Sequence, residues 1–316
     1  MLVPLPDRAV QAPVGLETAR ALGLTRHELA GPLWQPMGRG VRGWCGLDGR
    51  DPMTRIRAVA AQLPAGVAIG GWAALNVHGV HDLDGTSGPG GGRRLPVLVH
   101  PGPRSRVRPR AGIIVDRSVL SAADVCEVGG LLVTSAVRAC FDVMRRDGIE
   151  EGLVAGDAAG RMIALSPEVV RAYVGAHPRV TGVPGARVCA ALLDPRSASN
   201  PESRLRHVWS VAAGLPRPLV NPEVVDLWGQ LLGMPDLLDE FAGFVVEYDG
   251  AHHRALHRHT ADNAREEGFE RAGLIVVRAT AIDLWPRRPE LVRRLRDGRA
   301  RGLARDRDKD RWALRR

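Results

Sequence analysis

The residues best placed to do chemistry lie between positions 236 and 253. Asp236 leads into a short apolar run. Glu247 and Asp249 close the run Gly243 to Tyr248, and His252 and His253 follow at once. In a strand, residues two apart point to the same face, so Glu247 and Asp249 project together, with Asp236 expected beside them on a neighbouring strand. Clustered carboxylates repel one another unless a cation lies between them. Oxygen ligands select a hard divalent ion, Mg2+ or Mn2+. Either histidine could hold or deprotonate a water near neutral pH. Glu202, near the start of the preceding helix, could add a further carboxylate. Such a set suits hydrolysis of a phosphodiester. A plainer reading of the same residues is an Asp-Gly turn, a solvated strand-end glutamate and packing histidines.

The elements that must position these residues follow from pattern. Glu202 to Ala213 reads as a helix, and Leu219 to Asn221 with Val224 to Leu227 as a strand or hairpin approach. Leu231 to Leu238 contains Pro235-Asp236. Gly243 to Tyr248 reads as a buried strand, Thr260 to Gly273 as a helix, Leu274 to Arg278 as a second buried strand and Pro289 to Gly298 as a last helix. That order gives an α/β sandwich around a small mixed sheet. Upstream, DPRSASNP, Asp194 to Pro201, reads as a linker and the strongest domain boundary. Between 86 and 195 the chain alternates short strands (Pro96 to His100, Ile113 to Val115, Leu131 to Val133) with helices (Ser135 to Arg145, Ile149 to Met162), an α/β middle domain. Arg104, Arg106, Arg108 and Arg110 alternate through a proline-bearing stretch there.

The first 85 residues open with a helix pair. Thr25 is an N-cap and Glu28, three residues on, completes a capping box. Two short helices about Leu22-Gly23-Leu24, followed by the glycine-bearing stretch Gly38 to Leu47, suggest a winged-helix-like unit. In that unit Arg26 and His27 would face a DNA groove, and Arg39 and Arg42 would meet phosphate.

The net charge of +9 is concentrated. From Arg287 to Arg316 there are 13 Lys or Arg against 5 Asp or Glu, a net +8. The remainder is close to neutral, so 287–316 reads as a basic tail able to hold an anionic polymer. Hydrophobic residues make up 45% and charged residues 25%, which is globular composition. No apolar run reaches the length of a membrane span, and the opening MLVPLPDRAVQAPVG lacks a signal-like apolar segment. Four scattered cysteines, Cys45, Cys126, Cys140 and Cys189, form no CxxC pair. They fit reduced thiols of a cytoplasmic protein.

Four strings carry a resemblance: PESRLR (Pro201 to Arg206), MPDLLD (Met234 to Asp239), VVEYDGAHH (Val245 to His253) and DNAREEGFERAGLIVVRATAIDL (Asp262 to Leu284). Together they resemble the Vsr-like branch of the PD-(D/E)XK nuclease superfamily, in particular the bacterial family called domain of unknown function 559. The resemblance implies a restriction-endonuclease-like domain over 200–286. It makes Asp236 the first metal-binding aspartate, Glu247 the second acid and Glu202 the helix glutamate, with Asp262 and Arg265 as helix residues facing the site; on our reading Arg265, Arg278 and the tail arginines would neutralise phosphates. The superfamily's lysine position, two after the second acid, is Asp249 here, and Lys309 is the chain's one lysine. A Vsr-like site uses histidine there, which points to His253 for water activation and His252 second.

More faintly, Leu16 to Leu33, GGWAALNVHGV (Gly70 to Val80) and LLVTSAVRACFDV (Leu131 to Val143) resemble AbiEi-type antitoxins of abortive-infection systems. Taken together, the sequence leads us to expect an α/β multidomain protein and a Mg2+- or Mn2+-dependent DNA endonuclease or nickase of phage defence or DNA repair. DNA is the expected partner, a protein partner remains open, and no membrane is involved. The alternative is a non-catalytic DNA-binding regulator of antitoxin type on a degenerate nuclease fold. A purely structural or protein-interaction module is the third reading.

Overall fold

A computed structural model describes residues 11–88, 92–250 and 267–315. It is a mixed α/β protein that divides into two compact units, meeting in sequence between Val143 and Met144. No described helix is long and apolar enough to cross a membrane.

The first unit begins with strand β1 (Val14–Gly15), helices α1 (Leu16–Ala21) and α2 (Arg26–Leu29), and a hairpin of β2 (Trp34–Gly38) and β3 (Val41–Trp44). The three strands pair in the order β1-β3-β2. The capping box forms as the sequence dictates: Thr25 Oγ1 accepts from the Glu28 N–H at 3.2 Å and Glu28 Oε2 accepts from the Thr25 N–H at 2.7 Å. The helix it starts is only one turn long. It ends at Leu29, three residues ahead of Pro32, whose ring cannot continue a helix. Val14, Ala19, Leu24, Leu29 and Trp34 close a small core. Gly40, at φ +68°, makes the tight turn between β2 and β3.

Helix α3 (Pro52–Ala60), capped by Asp51, precedes strand β4 (Ala68–Gly70) and helix α4 (Gly71–Val77). Strand β4 joins β5 (Val97–His100), β6 (Ile113–Val115), β7 (Val125–Val128) and β8 (Leu131–Thr134) in a five-stranded mixed sheet of order β6-β5-β4-β8-β7. The sequence reading missed β4 and β7, although Gly129-Gly130, both with positive φ, is a hairpin turn signal. Helix α5 (Ala136–Arg146) closes this unit. Its Asp142 is fully buried, takes His100 Nε2 at 2.8 Å and is held by Arg138 Nε at 3.1 Å.

The second unit opens with α6 (Ile149–Ile163), α7 (Pro167–Ala176), α8 (Val183–Leu192) and α9 (Asn200–His207), the last continued by a π-helical turn, Val208–Ala212. Strands β9 (Leu219–Val220), β12 (Leu237–Asp239), β13 (Phe244–Asp249) and β14 (Ile275–Thr280) form a sheet of order β14-β13-β12-β9. Between β9 and β12 lie β10 (Val224–Asp226) and β11 (Leu231–Gly233), which form a separate three-stranded sheet with β15 (Trp312–Leu314). Strands β13 and β14 run parallel, so they need a crossover, and residues 267–271 within it are helical. Short helix α10 (Ala281–Leu284) and long helix α11 (Arg288–Leu303) complete the unit.

Two expectations need correction. The Asp194–Pro201 segment is not a free linker between domains but lies within the second unit. The Asp194 N–H donates to Asp157 Oδ1 on α6 at 2.9 Å, and Ser197 Oγ meets Ser203 Oγ at 3.0 Å, both buried. Its polar composition reads as a loop, yet these polar groups are satisfied by the helices on either side. The basic stretch from Arg287 is likewise not a solvated tail. Leu291 and Leu295, one turn apart, are fully buried in the core that holds Leu205, Trp209, Leu237, Phe244 and Val246. At Gly298 an added Cβ would come within 2.6 Å of the Phe244 ring, so the helix approaches the sheet there only because the residue is glycine. Many of its arginines are already committed: Arg294 to Asp283 at 2.9 Å, Arg299 to Asp239 at 2.8 Å, Arg305 to Asp310 at 2.7 Å and Arg315 to Glu223 at 2.8 Å.

Candidate functional site

The register of the four-stranded sheet decides which acids meet. Strands β12 and β13 pair Leu237 with Val246 and Leu238 with Val245. Continued by one residue, this antiparallel register sets Asp236 opposite Glu247. The two strands are tied at that point, because the Tyr248 N–H donates to Asp236 Oδ2 at 2.6 Å. The Asp236 carbonyl accepts from the Asn221 N–H at 3.1 Å, which joins β9 to the same row. On the other side, β13 and β14 pair Glu247 with Arg278. Asp236, Glu247 and Arg278 therefore stand in one row across three strands, acid, acid and base.

Glu247 is buried, at 6% exposure, whereas Asp249, at the strand end, is exposed. Val245, two residues before Glu247, belongs to a core with Leu238, Phe269 and Leu274, while its neighbour Val246 belongs to the opposite core. Glu247 thus issues from the Val245 face of the sheet and is itself buried. Tyr248 points the other way. Burial, then the charge of Asp249, pushes its phenol pKa above the ordinary tyrosine value, so it stays protonated at neutral pH.

Glu202 has a different occupation. Its Oε1 accepts from Ser199 Oγ at 2.8 Å, and its Oε2 accepts from the Ala198 N–H at 2.7 Å and from Asn221 Nδ2 at 3.0 Å. It is the N3 member of a cap on α9, and both oxygens are used. Asn221, with φ at +46°, links this cap to the backbone of Asp236.

The rest of the PESRLR string also anchors the helix. Arg204 donates to Glu150 Oε1 at 3.0 Å and to both oxygens of Glu151, at 2.9 and 3.0 Å. Arg288 joins Glu150 from α11 at 2.7 Å. Burial pushes the Glu150 carboxyl up, but Arg288 and Arg204 more than offset this and hold it below the usual glutamate range. Arg206, almost fully buried, pairs with the buried Asp157. His207 beside this group has its pKa lowered by burial first, with Glu150 opposing. Sequence reasoning missed this network. Its only trace was Glu150-Glu151 and Asp157 on a helix otherwise rich in small apolar residues.

Asp236, Glu247 and Arg278 are brought into register. Asp249 stands at the exposed end of β13, and Glu202 is spent on its cap. His252, His253, Asp262 and Arg265 lie outside the described residues. Arg26 and His27 are exposed in the first turn of α2, Arg39 is exposed in the β2–β3 turn, and Arg42 is half-buried on β3. Among the described residues no three His, Cys, Asp or Glu side chains gather closely enough to hold a metal ion. The Asp236–Glu247 pair still fits Mg2+ chemistry, because that ion is commonly held by one or two carboxylates and completes its shell with water and substrate phosphate. Arg278, in register with Glu247, brings a positively charged residue to the same row.

No family model, curated protein or solved structure matches this chain.

Proposed function

We propose that the protein binds DNA through its first unit and carries a PD-(D/E)XK-type, Vsr-like nuclease site in its second, acting as a divalent-metal-dependent endonuclease or nickase. The observation that carries this reading is the placement of Asp236 opposite Glu247 in a sheet whose elements run helix, three antiparallel strands, crossover helix, parallel strand. This order is compatible with the α/β sandwich around a small mixed sheet expected from the sequence pattern. Asp236 and Glu247 would hold the ion, which when bound supplies Lewis-acid stabilisation of charge on the phosphate. Arg278 neutralises a neighbouring phosphate oxygen, and His253 accepts the proton of the attacking water. The strand–helix–turn–helix–hairpin order of residues 14–44 supports a winged-helix reading, with Arg26, His27, Arg39 and Arg42 turned to DNA. Reduced cysteines fit a cytoplasmic location.

The test is Mg2+- or Mn2+-dependent nicking of plasmid and mismatched duplex by the full chain, alongside calorimetric metal titration. Asp236→Asn should remove most divalent binding and the cleavage with it. His253→Ala should spare metal binding and slow cleavage by roughly two to four orders of magnitude. Arg278 beside Glu247, and Asp249 at the lysine position, favour a second reading: a non-catalytic DNA-binding regulator of antitoxin type on a degenerate nuclease fold. Duplex binding without cleavage under any divalent ion would select it. Absence of any DNA affinity would leave a structural or protein-interaction module.

A further inference from the structure

The first unit contains a cleft of about 470 Å³, of whose lining the DNA reading uses Arg39 alone. Its volume lies within the range of small-molecule sites. One wall is β2 and the start of its turn, Gln35 to Arg39; another is α3 with Gln62 just beyond it; the third is Val97 of β5 with Arg110 to Gly112. Pro36, Met37, Ala58, Val59 and Val97 give it an apolar lining, and Arg39, Arg55, Arg94 and Arg110 bring four guanidinium groups. Among the described residues, none that lines the cleft is Asp or Glu.

Neutral groups hold Arg55 in place. Arg55 stacks over Trp72 at 5.1 Å and donates to the carbonyls of Asp84, Gly85 and Leu95 at 3.1, 3.2 and 2.7 Å. Burial, then the nearby charge of Arg94, lowers the Arg55 pKa, with Asp84 opposing. The site therefore carries positive charge that no described carboxylate in its lining compensates. Arg110 is poorly satisfied for a half-buried side chain. Its Nη2 makes one long bond to the Gln62 carbonyl at 3.4 Å, and its Nε is buried with no acceptor among the described residues. A buried charged donor left without a partner is costly, and an anion entering the cleft removes that cost. A guanidinium fork matches phosphate oxygens in pairs.

We propose that this cleft is a binding site for a small phosphorylated ligand of nucleotide size, its phosphate on Arg110 and Arg94 and its less polar body against Met37, Val59 and Val97. The inference is independent of the nuclease reading and is tested without cleavage. The full chain is titrated calorimetrically with AMP, inorganic pyrophosphate and adenosine, with a short duplex as competitor. AMP and pyrophosphate should bind with one site per chain, and adenosine at least roughly tenfold more weakly, because it lacks the phosphate. Arg110→Ala and Arg94→Ala should each weaken AMP by roughly tenfold or more. Arg94 is exposed, so its variant keeps the test alive if Arg110→Ala does not fold. Equal binding of AMP and adenosine, or no heat from AMP and pyrophosphate at millimolar concentration, overturns the proposal. So does loss of duplex affinity in Arg94→Ala without any AMP binding, which would make the cleft a seat for a DNA phosphate.

Discussion

Leu295→Ala tests whether the arginine-rich stretch from Arg287 belongs to the fold. Leu295 is fully buried, one turn from Leu291, among Trp209, Phe244 and Val246. Truncating such a leucine removes its transfer free energy and leaves a cavity, at a cost of about 2–5 kcal/mol. The neighbourhood collapses poorly, because Trp209 and Phe244 are stacked at 5.1 Å and Gly298 already abuts the Phe244 ring. We therefore expect the upper half of that range. With a urea m-value of about 1–3 kcal/mol per molar, the midpoint of the second unit falls by about 1 M or more. Arg301→Ala, on the exposed side of the same helix, should stay within about 0.5 kcal/mol. A chain of two compact units need not unfold in one step, so the assay is urea denaturation followed by hydrogen exchange at the β13 amides. Equal midpoints for Leu295→Ala and Arg301→Ala would refute the assignment and restore the solvated tail. A chain cut at Pro286 loses both leucines and β15 together, so it reports on folding rather than on phosphate binding.

Arg206→Met leaves Asp157 buried beside no cation and should cost about 3–5 kcal/mol, and adding Asp157→Asn should recover most of it in a double-mutant cycle of melting temperatures. Glu150 has a folded pKa below its unfolded one. Its contribution is thus complete above the ordinary glutamate value, about 4.3, and is lost as pH falls through the lowered folded value. Glu150→Gln should flatten that acid limb in denaturation curves taken against pH; an unchanged limb would show that the Arg288 and Arg204 pairing is not maintained in solution. Arg26→Ala combined with Arg42→Ala should weaken duplex binding and make the log–log salt slope shallower, by about one unit for each phosphate the two arginines neutralise, read by fluorescence anisotropy across a salt series.

The strands around the acids were legible because they are short apolar runs bounded by Pro-Asp and Asp-Gly, and the observed β13 and β14 begin and end within two residues of the expected spans. The capping box at Thr25 was legible because it is purely local. Pairing of charges across distant segments was not. Nothing in the sequence assigns Arg204 to Glu150 and Glu151 rather than to a phosphate, or Glu202 to its own helix cap rather than to an ion. Strand β15 is three residues long and acquires its conformation only by pairing Val224 with Leu314 and Val225 with Ala313. The arginines of α11 dominated the reading of that stretch, while the feature that decides its place is the spacing of two leucines and a glycine.

The ion pairs between α6 and α9 also set the smallest portion of the chain that can be moved as a piece. A fragment beginning at Pro201 would carry Arg204 and Arg206 into an apolar interior stripped of Glu150, Glu151 and Asp157, the acids that make their burial tolerable. The portable cassette accordingly starts near Met144, some distance ahead of the motif that suggests the catalytic reading. Gene fusions or chimaeras that splice at the apparent linker would inherit the acids of the sheet without the helices that hold α9 in place. In a mutational scan scored by the proposed nuclease activity, Arg204 and Arg206 would register alongside Asp236, although they act on the scaffold.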